Sequence, residues 1–318
     1  MKPAELFNAR VEKEGEGLRL DLFMVASFTQ VSRKRAKKLI DARLVRVDGR
    51  IEQMASRLLK CGEEISFSIP PAERGEAPVE GPKLELLYNL WPVAAFYKPP
   101  GLVSAPTRDS SRDNAEKQGR ELLGNNLRLL HRLDRDTSGV LLFAQDERGA
   151  KAMLEAFRCR EVKKVYLAVV GGNTADSFDL TDHLKEVPNS RVAIVRSGGM
   201  KAETAFRTLA RNADFSLVEA RPRTGRMHQI RVQLAAHGHP VVGDSLYQGA
   251  ALAGEGGIIR TVERQMLHSW ITGFRHPGTS AWTEVASHPP RDFMEVVKHL
   301  FNIRDFDAPS DAPVDSGP

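Results

Sequence analysis

His131-Arg132-Leu133-Asp134-Arg135-Asp136-Thr137-Ser138-Gly139 is a polar stretch set between two apolar runs, LRLL at 127–130 and VLLFA at 140–144. Apolar runs of that length bounded by polar residues read as strands, so the stretch is a loop at the end of a sheet. Two acids, Asp134 and Asp136, are flanked by His131, Arg132 and Arg135, and nearby positive charge favours a charged carboxylate. Such a carboxylate can serve as nucleophile or base, or it can form the salt bridge of a surface turn. Thr137, Ser138 and Gly139 suit a tight turn. A glycosidase would also use two acids, but a loop does not set their separation. The elbow Gly-x-Ser-x-Gly is absent, as are the phosphate loop and the dinucleotide fingerprint, so nothing calls for ATP, NAD or flavin.

Outward from this loop, the runs VAAFYK, VYLAVVGG and DFSLVEARP read as strands, whereas DERGAKAMLEAFRC and RMHQIRVQLAAHG read as helices. The mixture predicts an α+β fold with a largely antiparallel mixed sheet flanked by helices and loops. In the second helix-like run, Met227, Ile230 and Leu234 share one helical face, and His228 and Arg231 lie three apart on its neighbour. His228, His237 and His239 have no acid or cysteine close by in sequence, and no metal is expected. The linker is placed at 70–83, where PPAERGEAPVEGPK carries Pro, Gly and Glu without apolar periodicity.

Ahead of the linker, residues 17–69 predict a small αβ domain: a helix around Leu20 to Ala26, Ser32 as N-cap of a helix over 33–42, then a hairpin through the Asp-Gly turn of LVRVDG. The second helix carries Arg33, Lys34, Arg35, Lys37 and Lys38, with Ala36, Leu39 and Ile40 left for packing. By charge alone it is either a solvated basic helix or an RNA-binding one. Residues 1–16 read as an N-terminal extension. Residues 305–318 read as an acidic disordered tail, since DFDAPSDAPVDSGP has few apolar groups. The catalytic domain is placed at 84–304.

The whole chain of 318 residues is long enough for two domains, and its formal net charge of +5 permits a polyanionic partner. No run reaches the roughly 20 apolar residues needed to span a bilayer, and the N-terminus has no signal-peptide core, so a soluble cytoplasmic protein is expected. With Cys61 and Cys159 as its only cysteines, the chain has no disulfide framework or thiolate zinc cage, and both thiols read as buried or inert.

HRLDRDTSG at 131–139, Lys164-Val165-Tyr166, and TGRMHQIR at 224–231 occur in that order, with YKPPGLVSAP at 97–106 and GHPVVGDSLY at 238–247. Together they resemble the RluA family of pseudouridine synthases, over roughly residues 84 to 290. The segment RLDLFMVASFTQVSRKRAKKLIDARLVRVDG resembles the S-four type of small RNA-binding domain. The resemblance implies an RNA uridine isomerase that needs no cofactor. Its expected substrate is large-subunit ribosomal RNA rather than tRNA, and the protein is expected to be a monomer. It implies Asp134 as the catalytic carboxylate, Tyr166 packing on the flipped base, and Arg231 pairing with Asp134. Arg132 would fill the stack that the uridine leaves. Arg33, Lys34, Lys37 and Lys38 would grip the RNA backbone, and Arg226 and His228 would contact RNA in the catalytic domain. Met227 stands where the family usually has Thr, Gln233 where it often has His, and no His precedes Pro106. An RNA-binding protein without activity and an N-glycosidic hydrolase are the competing readings.

Overall fold

The computed structural model describes residues 5–28, 31, 33–69, 81–106, 113–188, 191–249, 262 and 264–306. They form two units, Met1–Glu80 and Gly81–Pro318. Ser32, most of the expected linker (70–80) and most of the expected tail (307–318) fall outside the described residues, as does the side chain of Lys34.

In the first unit, strand β1 (Glu5–Arg10) leads to helices α1 (Leu20–Ser27) and α2 (Arg33–Asp41), and then to β2 (Val45–Val47), β3 (Arg50–Ile51) and β4 (Glu64–Ile69). The sheet order is β1-β4-β2-β3, with every pairing antiparallel. Residues 5–10 are therefore not an extension outside the fold. Their pairing with 64–69 along the whole of β1 satisfies an edge of β4 that would otherwise be bare, and Phe7 stacks on Phe67 with ring centroids 5.2 Å apart. Helix α2 buries Ala36, Leu39 and Ile40 against that core and leaves Lys37 and Lys38 exposed. The turn between β2 and β3 has positive φ at both Asp48 and Gly49, the backbone that an Asp-Gly pair favours in a two-residue hairpin.

The second unit runs β5 (Glu85–Leu90), β6 (Val93–Lys98), α3 (Ala115–Leu123), β7 (Arg128–Leu129), β8 (Ser138–Ala144), α4 (Glu147–Arg158) and β9 (Lys163–Gly171). It continues as β10 (Ser177–Val187), β11 (Arg191–Ile194), β12 (Met200–Arg211), β13 (Phe215–Pro222), α5 (Gln229–Ala236), β14 (Leu267–Arg275), β15 (Trp282–Ala286) and α6 (Arg291–Phe301). The main path of the sheet is β11-β10-β12-β13-β9-β14-β8-β6-β5. Successive side chains of a strand point to opposite faces. Thus Leu167 and Leu217 pack with Phe293, Val296 and Val297 of α6, whereas Ala168, Val218 and Ala220 pack with Ile230 and Leu234 of α5. Phe306 also packs, 5.8 Å from the Trp270 ring, so the folded unit runs past residue 304. Both cysteines are exposed rather than buried. No helix among the described residues is long and apolar enough to cross a membrane.

Only one pairing among the described strands is parallel, that of β14 with β8, and it places His268 beside Ser138 and Ser269 beside Gly139. The loop read first in the sequence enters the sheet here. Gly139 has φ +119, and a Cβ on it would lie 2.0 Å from the carbonyl oxygen of Ser269. Gly139→Ala should therefore destabilise the catalytic unit by on the order of 3 kcal/mol or more. Urea unfolding measures this, and an unchanged midpoint would contradict so close an approach.

Candidate active site

A cleft of about 1230 Å³ opens on this junction, and Asp134, Tyr166, Arg226, His228 and Arg231 all line it. The loop carrying Asp134 connects β7 to β8 and is held at nearly every residue. His131 Nε2 accepts the Leu142 amide at 3.0 Å. Leu133 exchanges hydrogen bonds with the buried Ser104 hydroxyl, its N–H donating at 2.9 Å and its carbonyl accepting at 2.7 Å. The Arg135 carbonyl accepts from Lys98 Nζ and from the Gly101 amide, both at 2.9 Å. Arg264 Nη1 donates to the Asp136 carbonyl at 3.1 Å, and Gln265 Nε2 to Thr137 Oγ1 at 3.2 Å. Ser138 Oγ meets His268 Nδ1 at 2.9 Å, and His268 Nε2 meets the Ser287 carbonyl at 2.8 Å.

Lys98 is fully buried, and its Nζ donates to three carbonyls, those of Pro99, Leu102 and Arg135. Three acceptors match the three protons of an ammonium. Burial pushes its pKa down to about 7, with Asp136 and Asp134 pulling the other way.

The Asp134 carboxylate is 24% exposed, and its Oδ2 accepts from Arg231 Nη1 at 2.7 Å. Arg231 lies in α5 and is itself buried. Its Nε and Nη2 form a bidentate pair with Asp244 at 2.6 and 2.8 Å. Burial alone would weaken the guanidinium charge, but the hydrogen bonds and charges of Asp244 and Asp134 outweigh it and raise the pKa above the ordinary arginine value. Tyr166 stands in β9 opposite Ala220 and Ser269. Burial pushes its hydroxyl up to about 12, against the effect of a hydrogen bond with Ser269. Lys164, two residues before it, donates to the Thr224 carbonyl at 2.9 Å, and burial lowers its pKa to about 8.

The helix expected from residue 226 starts later, at Gln229. His228 takes a left-handed backbone, φ 53° and ψ 18°, at the cap. The turn before it is held by Gln229, whose Oε1 accepts from Thr224 Oγ1 and from the Arg226 amide. Met227 consequently does not share a face with Ile230 and Leu234. It packs with Val192, Val232 and Tyr247 instead. Gln233 is fully buried and stitches α5 to the long strands, accepting from Thr204 Oγ1 at 2.7 Å and donating to Asp182 Oδ2 at 2.8 Å.

Arg132 is exposed at the cleft, next to Asp134. Arg226 donates to the Lys201 carbonyl at 3.2 Å. In the first unit, Arg33 donates to the buried Asp21 carboxylate at 3.3 Å, beside a bidentate Arg19, so its guanidinium also serves the fold. Lys98, Asp244, Arg264 and His268 were given no role by sequence reading. Lys98 and Asp244 lie in motifs quoted there, YKPPGLVSAP and GHPVVGDSLY, which were the available signal, whereas Arg264 and His268 lie outside all of them.

A family model described as RNA pseudouridylate synthase matches residues 92–236, and one described as S4 domain matches residues 18–65. An uncharacterized RNA pseudouridine synthase of Chloroflexus aurantiacus is 32% identical over 89% of this chain and 90% of its own length. Ribosomal large subunit pseudouridine synthase D of Xylella fastidiosa is 30% identical over 89% of each chain. Among solved structures, human RNA pseudouridylate synthase domain containing 4 superposes with a TM-score of 0.55 at 23% identity, covering 68% of this chain and 92% of that one. That last likeness concerns the fold alone.

Burial holds the His268 pKa near 4, against 6.5 for an ordinary imidazole. Between those values the unfolded chain binds a proton that the folded one does not. The stabilisation is complete above pH 6.5 and declines as pH falls toward 4, by about 1.4 kcal/mol per pH unit. His268→Gln should lose less stability than wild type over that window in urea unfolding. Equal acid sensitivity would show that His268 is not the group responsible.

Proposed function

The chain belongs to the RNA pseudouridine synthases, isomerases that convert uridine to pseudouridine, and from that membership we propose that it acts on large-subunit ribosomal RNA with Asp134 as its catalytic carboxylate. One observation carries the assignment of Asp134. Its Oδ2 is paired with a buried arginine, while the carboxylate stays 24% exposed and lines the cleft, so that it is anchored and still within reach of a substrate. Asp136, by contrast, pairs with exposed Arg135 at 3.0 Å. The relatives named for the large ribosomal subunit and the N-terminal S4 match support the choice of RNA.

The reaction breaks the bond from C1′ to N1, turns the uracil within the site and joins C1′ to C5. Asp134 can attack C1′, attack C6 or take the C2′ proton, and each route uses its charged form. Arg231 keeps that charge paired in a partly buried place. Tyr166 supplies an aromatic surface at the cleft floor against which a detached base can rest instead of escaping to water. Reaching the base requires flipping it out of its stack, at a cost of a few kcal/mol, and Arg132, exposed at the cleft, would occupy the gap. Arg226 on the cleft, and Lys37 and Lys38 with Arg33 and Lys34 on the first unit, would hold phosphates, contacts that position without specifying sequence. Such a substrate implies the cytoplasm.

Position-resolved pseudouridine mapping tests this in cells lacking the protein and rescued with wild type or Asp134→Asn. One or a few large-subunit sites should disappear, return with wild type, and stay absent with Asp134→Asn although that variant still binds RNA. An unchanged map would refute the substrate, and release of free uracil would indicate a hydrolase. Replacing Arg33, Lys37 and Lys38 together by Gln should reduce the salt dependence of RNA affinity, by about 0.7 log units per lost contact for each tenfold change in salt. An unaltered slope in filter binding would remove the first unit from RNA recognition.

A further inference from the structure

His228 stands beside the Asp134 carboxylate and the Tyr247 hydroxyl. Its Nε2 is 3.9 Å from Asp134 Oδ1, the oxygen that Arg231 leaves untouched. That distance is too long for a hydrogen bond, so a proton on Nε2 is unspent and faces the cleft. The side chain is 13% exposed, and its backbone is held in the left-handed region, a conformation that costs energy in a residue other than glycine and recurs at functional sites.

The neighbouring tyrosine offers His228 Nδ1 a hydroxyl proton to accept. The Val192 amide donates to Tyr247 Oη at 2.9 Å, and Tyr247 Oη lies 2.9 Å from His228 Nδ1. With an oxygen that already accepts from Val192, the single hydroxyl proton of Tyr247 is free to point at Nδ1. A neutral imidazole that accepts at Nδ1 carries its hydrogen on Nε2. Burial lowers the His228 pKa and the Arg231 charge acts in the same direction, against Asp134, Asp244 and Glu186.

We propose that His228 is a second catalytic group of this site, a neutral imidazole set by Tyr247 so that Nε2–H donates a hydrogen bond to the uracil as it detaches from the ribose. The proposal rests on the isomerase reading above and goes beyond the RNA contact first expected for His228. When the C1′–N1 bond breaks, its electron pair leaves with the uracil and spreads over N1, O2 and O4. Asp134, being negative, cannot stabilise that charge, and Arg231 is shared between two carboxylates. A donor fixed in place before the reaction, in a site that excludes water, is worth most where charge develops. No proton is transferred through this contact. Tyr247 is a positioning residue that acts through His228.

Two substitutions of His228 separate donation from packing. Asn tolerates a left-handed backbone but is too short to reach the place of Nε2, whereas the Gln amide nitrogen reaches near it. With full-length protein and saturating in-vitro-transcribed large-subunit ribosomal RNA, His228→Asn should slow single-turnover pseudouridine formation by about 10²- to 10³-fold. RNA affinity should change by less than about threefold, and His228→Gln should recover at least about tenfold of the rate. Independently of any RNA, ¹⁵N resonances of the histidine rings should show His228 with its proton on Nε2 in wild type, and a loss of that fixed tautomer in Tyr247→Phe.

A wild-type single-turnover rate in His228→Asn would overturn the proposal, and so would a defect confined to salt-dependent RNA affinity, or a proton found on Nδ1. Should His228→Asn fail to fold, the His228→Gln rate and the ring resonances still decide. Wild-type protein that forms no pseudouridine in any RNA would refute the isomerase reading instead, and the tautomer measurement would then stand alone as the test of the Tyr247–His228 geometry.

Discussion

Arg231 is the residue through which the site is assembled. A single guanidinium from α5 holds Asp134 with one nitrogen and Asp244 with two others, drawing together three segments that the chain keeps about a hundred residues apart at their extremes. Desolvating these charges is costly, and the cluster is stable only because each partner is present. Removing one member of a buried pair leaves a charge with neither water nor counter-ion, which is more damaging than never having built the pair. Asp244 is 1% exposed and also accepts the amides of Leu246 and Tyr247. It is the anchor, and Asp134 is the end of the cluster that opens on the cleft. The carboxylate that lines the cleft is thereby fixed by an arginine whose own position the second carboxylate fixes.

The same constraint explains the density of hydrogen bonds under the loop. A loop at a sheet end has backbone groups that no ladder satisfies. Here three of its carbonyls are met by side chains arriving from the end of β6 (Lys98), from the segment after that strand (Ser104) and from the approach to β14 (Arg264), while Gln265 and His268 hold the side chains of Thr137 and Ser138. Arg264 also forms a bidentate pair with Asp292 in the first turn of α6. The C-terminal helix is thus tied to the Asp136 carbonyl through one side chain. Catalytic geometry in this fold depends on elements that never touch substrate.

Much of this was legible before any coordinates. The apolar runs at 93–98, 140–145 and 165–172 became strands, the basic helix buried the Ala36, Leu39 and Ile40 face, and the Asp-Gly pair made its turn. The residues named around Asp134 line one cleft. What stayed hidden is non-local or conformational. Strands β10 and β12 are mostly polar, with neither a continuous apolar run nor a sustained alternation to announce them, and they pair with each other. The left-handed turn at His228 depends on Gln229 capturing Thr224 and Arg226, a contact that helical periodicity argues against. Residues 5–10 lack a second strand nearby in sequence, and their partner lies at 64–69. Lys98 looks like any surface lysine until three carbonyls converge on it.

Charge is used in two ways, separated by burial. At the centre, Arg231 is 5% exposed and its partners are fixed. At the rim the cations are paired loosely: Arg160 with Glu203 at 3.1 Å and Arg223 with Asp179 at 3.7 Å, all through partners in or next to water. Exposed ion pairs contribute little and are screened by salt, so an incoming phosphate can take over such an arginine at small cost. The central pair cannot be exchanged that way, because its carboxylates are already desolvated around it. Arg33 sits between these regimes, half-exposed yet bound to buried Asp21. Lys37 and Lys38 are exposed on α2, which turns them outward because Ala36, Leu39 and Ile40 must turn in. A rim that yields its partners and a core that does not let the surface ion pairs be exchanged while the central cluster stays intact.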